Sequence, residues 1–248
     1  MQRPLLRVVT WPVHLLYGLY AWAMFLALAL LALPLLLLLP TLGARRWVIR
    51  GVARLALTLA GMPVSISFTQ PLPERCITVA NHCSYLDGVV LCAVLPPRFG
   101  FVIKREMSAV PLAGWLLARI GSQFVERTDR RGTTRDARRL MRQAEVGECL
   151  AFFPEGTFSE VPGLLRFHIG AFAAALRGQL PLVPIALRDT RRRLPPGGVW
   201  PRPGRIRVLI LAPISPDPSR PDGAAALRDA ARAQILLRSG EVDLAGAG

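Results

Sequence analysis

The chain has 248 residues, 52% of them hydrophobic and only 19% charged, which excludes disorder over most of its length and allows one sizeable α/β domain with an appendage. Its 31 basic against 16 acidic residues give a formal charge of +15, a balance that attracts polyanions: nucleic acid, an anionic membrane or phosphorylated substrates. Every basic residue but Lys104 is arginine, and the four cysteines (Cys76, Cys83, Cys92, Cys149) form neither a C-x-x-C pair nor a dense framework, which gives no support to a structural zinc site.

No residue charged at neutral pH stands between Arg7 and Arg45. About 20 apolar residues cross a bilayer core, so this leucine-rich run is long enough to span once, and it is too long for the apolar region of a secretory signal. Pro34 and Pro40 also permit a bent, re-entrant helix, and the sequence alone does not choose between the two. In the segment that follows, Arg46, Arg50 and Arg54 repeat every four residues and line one face of a helix. Such a basic amphipathic helix is expected in the headgroup layer of an anionic membrane; the alternative is a helix packed on the globular domain with its arginines solvated. Residues 1–64 are therefore read as a membrane-anchoring helix or hairpin with a basic helix, and 65–248 as an α/β domain.

Within 65–248 the pattern alternates between strands and helices. Strands are predicted at 76–80, 100–104, 122–126, 149–153, 180–187 and 205–211. Helices are predicted at 84–95, 111–120, 133–146, 167–178 and after Asp222, which is expected to cap the last one. That order predicts a mostly parallel central sheet with flanking helices.

Immediately after the first of these strands comes NHCSYLD. On a strand-to-helix turn, Asp87 in the first helical turns can reach back to His82, fix its tautomer and raise the basicity of the other ring nitrogen. That nitrogen could then deprotonate an attacking hydroxyl. Further along, FFPEGTFSE presents Glu155 on a loop at a strand's carboxyl end, with Pro154 stopping the strand and Gly156 allowing a tight turn.

Read in order, these pieces resemble the glycerolipid acyltransferase family of lysophosphatidic acid acyltransferase type. The family's N-H-x-x-x-x-D block is matched by Asn81, His82 and Asp87. Its second block is matched by Lys104, Pro111, Gly114, Gly121 and Arg127, its F-P-E-G-T-x-S block by Phe153 to Thr157 and Ser159, and its V-P-I strand by Val183, Pro184 and Ile185. The resemblance implies direct transfer of a fatty acyl group from acyl-CoA or acyl carrier protein to a lysophospholipid hydroxyl, most simply 1-acyl-sn-glycerol-3-phosphate, with no cofactor and no metal. It implies His82 as base, Asp87 as its orienting carboxylate, Glu155, Gly156 and Thr157 at the glycerol, and Lys104 and Arg127 on the phosphate. One departure bears on the acceptor: where many members carry arginine after the threonine, this chain has Phe158. The phosphate would then fall to Arg127, Lys104, Arg166 or His168, or the acceptor would carry another headgroup, as in a lyso-ornithine lipid. A nucleic-acid binder is disfavoured by the lack of a recognised motif or a basic stripe with interleaved aromatics. A metal-dependent hydrolase built on His82, Asp87 and Glu155 lacks a convincing third ligand arrangement. The expected setting is a membrane, with the catalytic domain facing the cytoplasm.

Overall fold

A computed structural model of the chain describes residues 4–126 and 130–245, and the side chains of 12–126 and 135–245. Arg127, expected on the acceptor phosphate, lies outside the described residues.

The apolar run forms one helix, α1 (Pro4–Leu38), which continues through Pro12 and Pro34. The chain reverses only at Pro40, whose missing N–H and pyrrolidine ring disfavour further helix. Thr41 then caps α2 (Leu42–Leu59), its hydroxyl accepting from the Ala44 amide at 3.3 Å. A bend at Pro34 is thus replaced by a hairpin closed at Pro40. Tyr17 and Tyr20 donate their hydroxyls to the carbonyls of Ala60 and Leu59, so the end of α2 lies beside the middle of α1.

The expected basic membrane face of α2 is not what the structure shows. The Arg46 side chain donates to the carbonyls of Ile120, Pro97 and Arg98, Arg50 to Val94, and Arg54 to Ala93. The helix interior leaves its last carbonyls without partners, and a guanidinium satisfies them while complementing the negative end of the helix dipole. A four-residue repeat of arginine looks the same in sequence whether it meets lipid phosphates or backbone carbonyls.

The remaining elements are β1 (Val64–Phe68), β2 (Ile77–Ala80), α3 (Leu86–Val94), β3 (Phe99–Lys104), α4 (Ala113–Arg119), β4 (Gln123–Val125), α5 (Arg130–Glu145), β5 (Cys149–Phe152), α6 (Gly170–Gly178), β6 (Leu182–Arg188), the short α7 (Thr190–Arg193), β7 (Ile206–Ile210) and α8 (Gly223–Ser239). The strands form one sheet in the order β1-β7-β6-β2-β5-β3-β4, parallel throughout except where β6 meets β7. The predicted α/β architecture holds. β1 was not anticipated, because its short Val-Ser-Ile-Ser-Phe run lies at an exposed sheet edge. Asp222 precedes α8 but makes no side-chain cap; its carboxylate is engaged by Arg220 instead.

Side chains of the central strands alternate between two cores, as strand geometry requires. Ala80, Ala151, Ile185 and Leu187 face α2 and α3, whereas Ile77, Val79, Leu150 and Phe152 face α5, α6 and α8. Helices therefore cover both faces, leaving the carboxyl edge of the parallel strands as the open place for a site.

Candidate active site

The chain leaves β2 at Ala80 and enters α3 at Leu86, and the turn between them is fixed by its neighbours. Buried Asn81 donates to the Leu187 carbonyl at 3.0 Å and accepts from the Leu187 amide at 2.7 Å, extending the β2–β6 ladder with a side chain. Asp87, 0% exposed in the first turn of α3, reaches back as the spacing suggested. Its Oδ2 lies 2.9 Å from His82 Nδ1 and also accepts from the amides of Cys83 (2.7 Å) and Ser84 (2.8 Å). Two backbone donors hold the carboxylate, and the carboxylate in turn orients the imidazole. With Nδ1 directed at Asp87, Nε2 is the nitrogen left for chemistry. The ring remains 18% exposed.

Glu155 stands on the loop at the carboxyl end of β5, as expected, and its carboxylate is turned to the backbone. It is 3% exposed, and its two oxygens accept from the backbone amides of His82 (2.6 Å) and Leu165 (2.8 Å). The carboxylate clips the loop after β5 to the turn carrying His82. Burial pushes its pKa up to about 7, against the two amides, which lower it. Gly156 turns the loop with φ +75, a conformation that side chains disfavour, and leaves Thr157 exposed.

Two aromatic rings that the motif gave no role flank the imidazole. Phe153 stacks on His82 with centroids 4.2 Å apart and planes 19° apart, and Phe158 meets it edge-on at 4.4 Å. Tyr85, three residues after His82, packs edge-on against Phe158 at 4.8 Å. Phe158 is thus a wall of the histidine pocket. The available signal in the sequence was an aromatic on either side of Pro-Glu-Gly-Thr and another inside the His–Asp spacing.

Lys104 ends β3 at the same sheet edge, paired in register with Val125 of β4. β3 is separated from β2 by β5, so at about 4.8 Å per strand its end lies roughly 10 Å from the histidine's strand. Arg166 and His168 are exposed on the segment that receives Glu155. Among the described residues, no group of three or more His, Cys, Asp or Glu side chains could hold a metal ion. All four cysteines are free thiols, and Cys83 is buried on the hydroxyl of Thr190 at 3.2 Å.

Comparison with known proteins shows the family of the chain. The chain is 30% identical over 246 residues to 1-acyl-sn-glycerol-3-phosphate acyltransferase alpha of Mus musculus, covering 92% of this chain and 80% of that protein. It is 35% identical over 141 residues to 1-acyl-sn-glycerol-3-phosphate acyltransferase BAT2, chloroplastic, of Brassica napus, covering 56% of this chain and 40% of that one. It is also 35% identical over 146 residues to the lyso-ornithine lipid O-acyltransferase of Pseudomonas aeruginosa, covering 57% and 54%. The chain thus spans only about half the length of some of the curated relatives it matches. Its fold is like that of the crystal structure of the 1-acyl-sn-glycerophosphate acyltransferase PlsC from Thermotoga maritima, with TM-score 0.71, 21% identity, and coverage of 90% of this chain and 96% of that one. A family model described as Acyltransferase matches residues 63–188, from the threshold of β1 to the end of β6 with the whole histidine pocket inside, and the chain belongs to that family.

Proposed function

We propose that this chain transfers a fatty acyl group from an acyl thioester, acyl-CoA or acyl carrier protein, to the free hydroxyl of 1-acyl-sn-glycerol-3-phosphate, giving phosphatidic acid. The observation that carries this reading is the His82–Asp87 pair at the carboxyl edge of the sheet, with Nδ1 committed to the carboxylate. The acceptor hydroxyl gives its proton to Nε2 of His82 as its oxygen attacks the thioester carbonyl. The new ester bond forms, the carbon–sulfur bond breaks, and the departing thiolate takes the proton back from the imidazolium. Asp87 stabilises that imidazolium. Glu155 acts through the His82 amide as a positioning residue, and Lys104 and Arg127 meet the acceptor phosphate, the lysine as a point charge and the arginine as a planar fork.

A second acceptor, a lyso-ornithine lipid, is favoured by one observation: Phe158 packs on His82 at a position where many members carry arginine. Mass spectrometry of the products from mixed acyl thioesters and a panel of lysolipids tests both. Phosphatidic acid formed by wild type and lost in His82→Ala supports the first reading; acylated ornithine lipid alone supports the second.

The reading includes attachment to a membrane through the α1–α2 hairpin. Pro12–Leu38 is apolar and long enough to cross, with mean hydropathy 2.5. However, Trp22 donates to the Val199 carbonyl and Arg119 donates to the Leu36 carbonyl. These two points are about 21 Å apart along the helix and both are held by the globular domain. A crossing helix would place at least one of them inside a ~30 Å hydrocarbon core, where the polar part of the domain that holds it cannot follow. The contacts favour a hairpin embedded from one side with its leucines in lipid, and the reading puts the catalytic domain on the cytoplasmic face. Protein found in the soluble fraction after lysis without detergent would refute this attachment.

A further inference from the structure

The segment between α7 and β7, PPGGVWPRPG, takes no part in the chemistry above, yet it is closely built. Gly198 N–H donates to the Pro195 carbonyl at 3.0 Å and forms a turn, and Arg202 N–H donates to the Arg193 carbonyl at 2.7 Å and closes the loop. From one side the loop is tied to the end of α2, where Gly204 N–H donates to the Gly61 carbonyl at 2.8 Å. From the other it is tied to α1. The Trp22 indole donates to the Val199 carbonyl at 2.7 Å, and the Trp200 ring packs onto Gly18 so closely that a Cβ there would sit 2.5 Å from it.

These ties fix a surface that a soluble face has no need of. Val199 is 60% exposed and Trp200 42%. Arg202 and Arg205 follow them, both exposed, and among the described residues neither pairs with a carboxylate. Tyr20 and Trp22 of the adjoining helix are exposed at the same level. Tyrosine and tryptophan beside arginine, next to a leucine-rich helix, is the composition of a membrane–water boundary: amphipathic rings at headgroup depth, cations on the phosphates.

We propose that this loop is a second membrane-docking element, in which Val199 and Trp200 insert among the headgroups of an anionic bilayer while Arg202 and Arg205 bind lipid phosphates. It rests on the hairpin attachment described above and adds a separate point of contact to it. The consequence concerns orientation. One hairpin leaves the domain free to swing, whereas a hairpin and a loop define a plane. The loop hangs from α7 and Leu194, which meet the histidine turn directly: Thr190 touches Cys83, and the Ser84 hydroxyl donates to the Leu194 carbonyl at 2.7 Å. Docking the loop therefore brings the carboxyl edge of the sheet against the leaflet, where the acceptor resides with its acyl tail in hydrocarbon.

The test uses full-length protein diluted from detergent onto vesicles of phosphatidylcholine alone or mixed equally with phosphatidylglycerol. Partition is read by flotation, and tryptophan depth by quenching with brominated phosphatidylcholine. Arg202→Gln combined with Arg205→Gln is expected to lower partition onto the anionic vesicles about tenfold and leave the neutral ones unchanged. Trp200→Phe, a change the Gly18 contact tolerates, is expected to remove a quenchable component from the emission; Val199→Ser, at a still more exposed position, should weaken partition onto both vesicles. Wild type that binds but gives the same partition and quenching as all three variants overturns the loop and leaves the hairpin intact. Wild type that binds neither vesicle overturns the hairpin reading and the loop with it. If the arginine variant partitions normally but loses transfer only from acyl carrier protein, the patch serves an acidic protein and the proposal fails.

Discussion

Glu155 is the most informative residue to perturb, because its two candidate roles predict different kinetics and its burial predicts a signature in stability. The fold raises its pKa from 4.5 to about 7, chiefly by burial. The folded protein therefore holds that proton about 3 kcal/mol more tightly than the unfolded chain does. The contribution is fully present below about pH 4.5 and is lost as pH rises through about 7, where the folded protein must carry the buried charge. Glutamine is neutral throughout and lacks this loss. Thermal unfolding in detergent, near pH 5 and near pH 8, should show wild type dropping more than Glu155→Gln by about 3 kcal/mol, which for a chain of this size is roughly 6–12 °C in Tm. Groups elsewhere titrate in both proteins and cancel in the comparison. Glutamine also offers one oxygen to two amides 2.6 and 2.8 Å from the native carboxylate, so the His82 or the Leu165 amide loses its acceptor. A buried amide left unpaired costs about 1–3 kcal/mol, and the histidine turn shifts. We expect kcat to fall at least about tenfold with the acceptor KM nearly unchanged, the pattern of a misplaced base. Parallel pH profiles for the two proteins would refute the burial argument. A raised acceptor KM at normal kcat would return Glu155 to the glycerol.

Four further outcomes follow, three from the same geometry and one, at Arg127, from the proposed acceptor contact. His82→Ala is expected to lower turnover at least about a hundredfold, and Asp87→Asn to impair it through the wrong tautomer with circular dichroism unchanged; near-normal turnover in either would remove the proposed base. Phe158→Arg gives up two edge-on ring contacts worth about 1–3 kcal/mol together, so activity on lysophosphatidic acid should fall; a gain would assign the native acceptor a different headgroup. Arg127→Ala should raise the acceptor KM and leave the donor KM unchanged, which steady-state kinetics with each substrate varied separately will show. Arg46→Ala should lower Tm, because three carbonyls lose a cationic donor at a cost of about 2 kcal/mol, while binding to anionic vesicles stays as in wild type. Unchanged Tm with weakened vesicle binding would restore the membrane role of that helix face.

The parts legible in the sequence were those governed by local rules. Alternating short β-rich runs and helix-length segments fixed the parallel sheet, and the strand-to-helix setting of NHCSYLD was enough to anticipate that Asp87 meets His82. What stayed illegible depended on partners distant in the chain. Arg46 meets Arg98 and Ile120 across more than fifty residues, and no local pattern separates a carbonyl from a lipid phosphate as the acceptor of a guanidinium. Glu155 was drawn to the substrate because the motif advertises a carboxylate on a loop. That both oxygens close on backbone amides 73 and 10 residues away is a matter of tertiary packing. Phe158 read as the loss of a cation, whereas in three dimensions it supplies a wall to the imidazole.

The histidine turn also shows how a short loop at a sheet edge can hold an imidazole in place, as the proposed base requires. From Asn81 to Ser84, nearly every polar group is spent on scaffolding. The Asn81 amide is committed to β6, the His82 amide to the loop after β5, the amides of Cys83 and Ser84 to α3 through Asp87, and the Ser84 hydroxyl to the residue after α7. Four separate elements thus converge on four consecutive residues, and Phe153 and Phe158 restrain the ring from its face and edge. Nε2 is the one polar atom of the turn's side chains for which no scaffolding partner is spoken for. Holding it this way meets the entropic cost of aligning base and acceptor when the protein folds rather than at each turnover. It also means that Asn81 and Ser84, whose side chains are committed to β6 and to the residue after α7, help to hold the imidazole where Asp87 orients it.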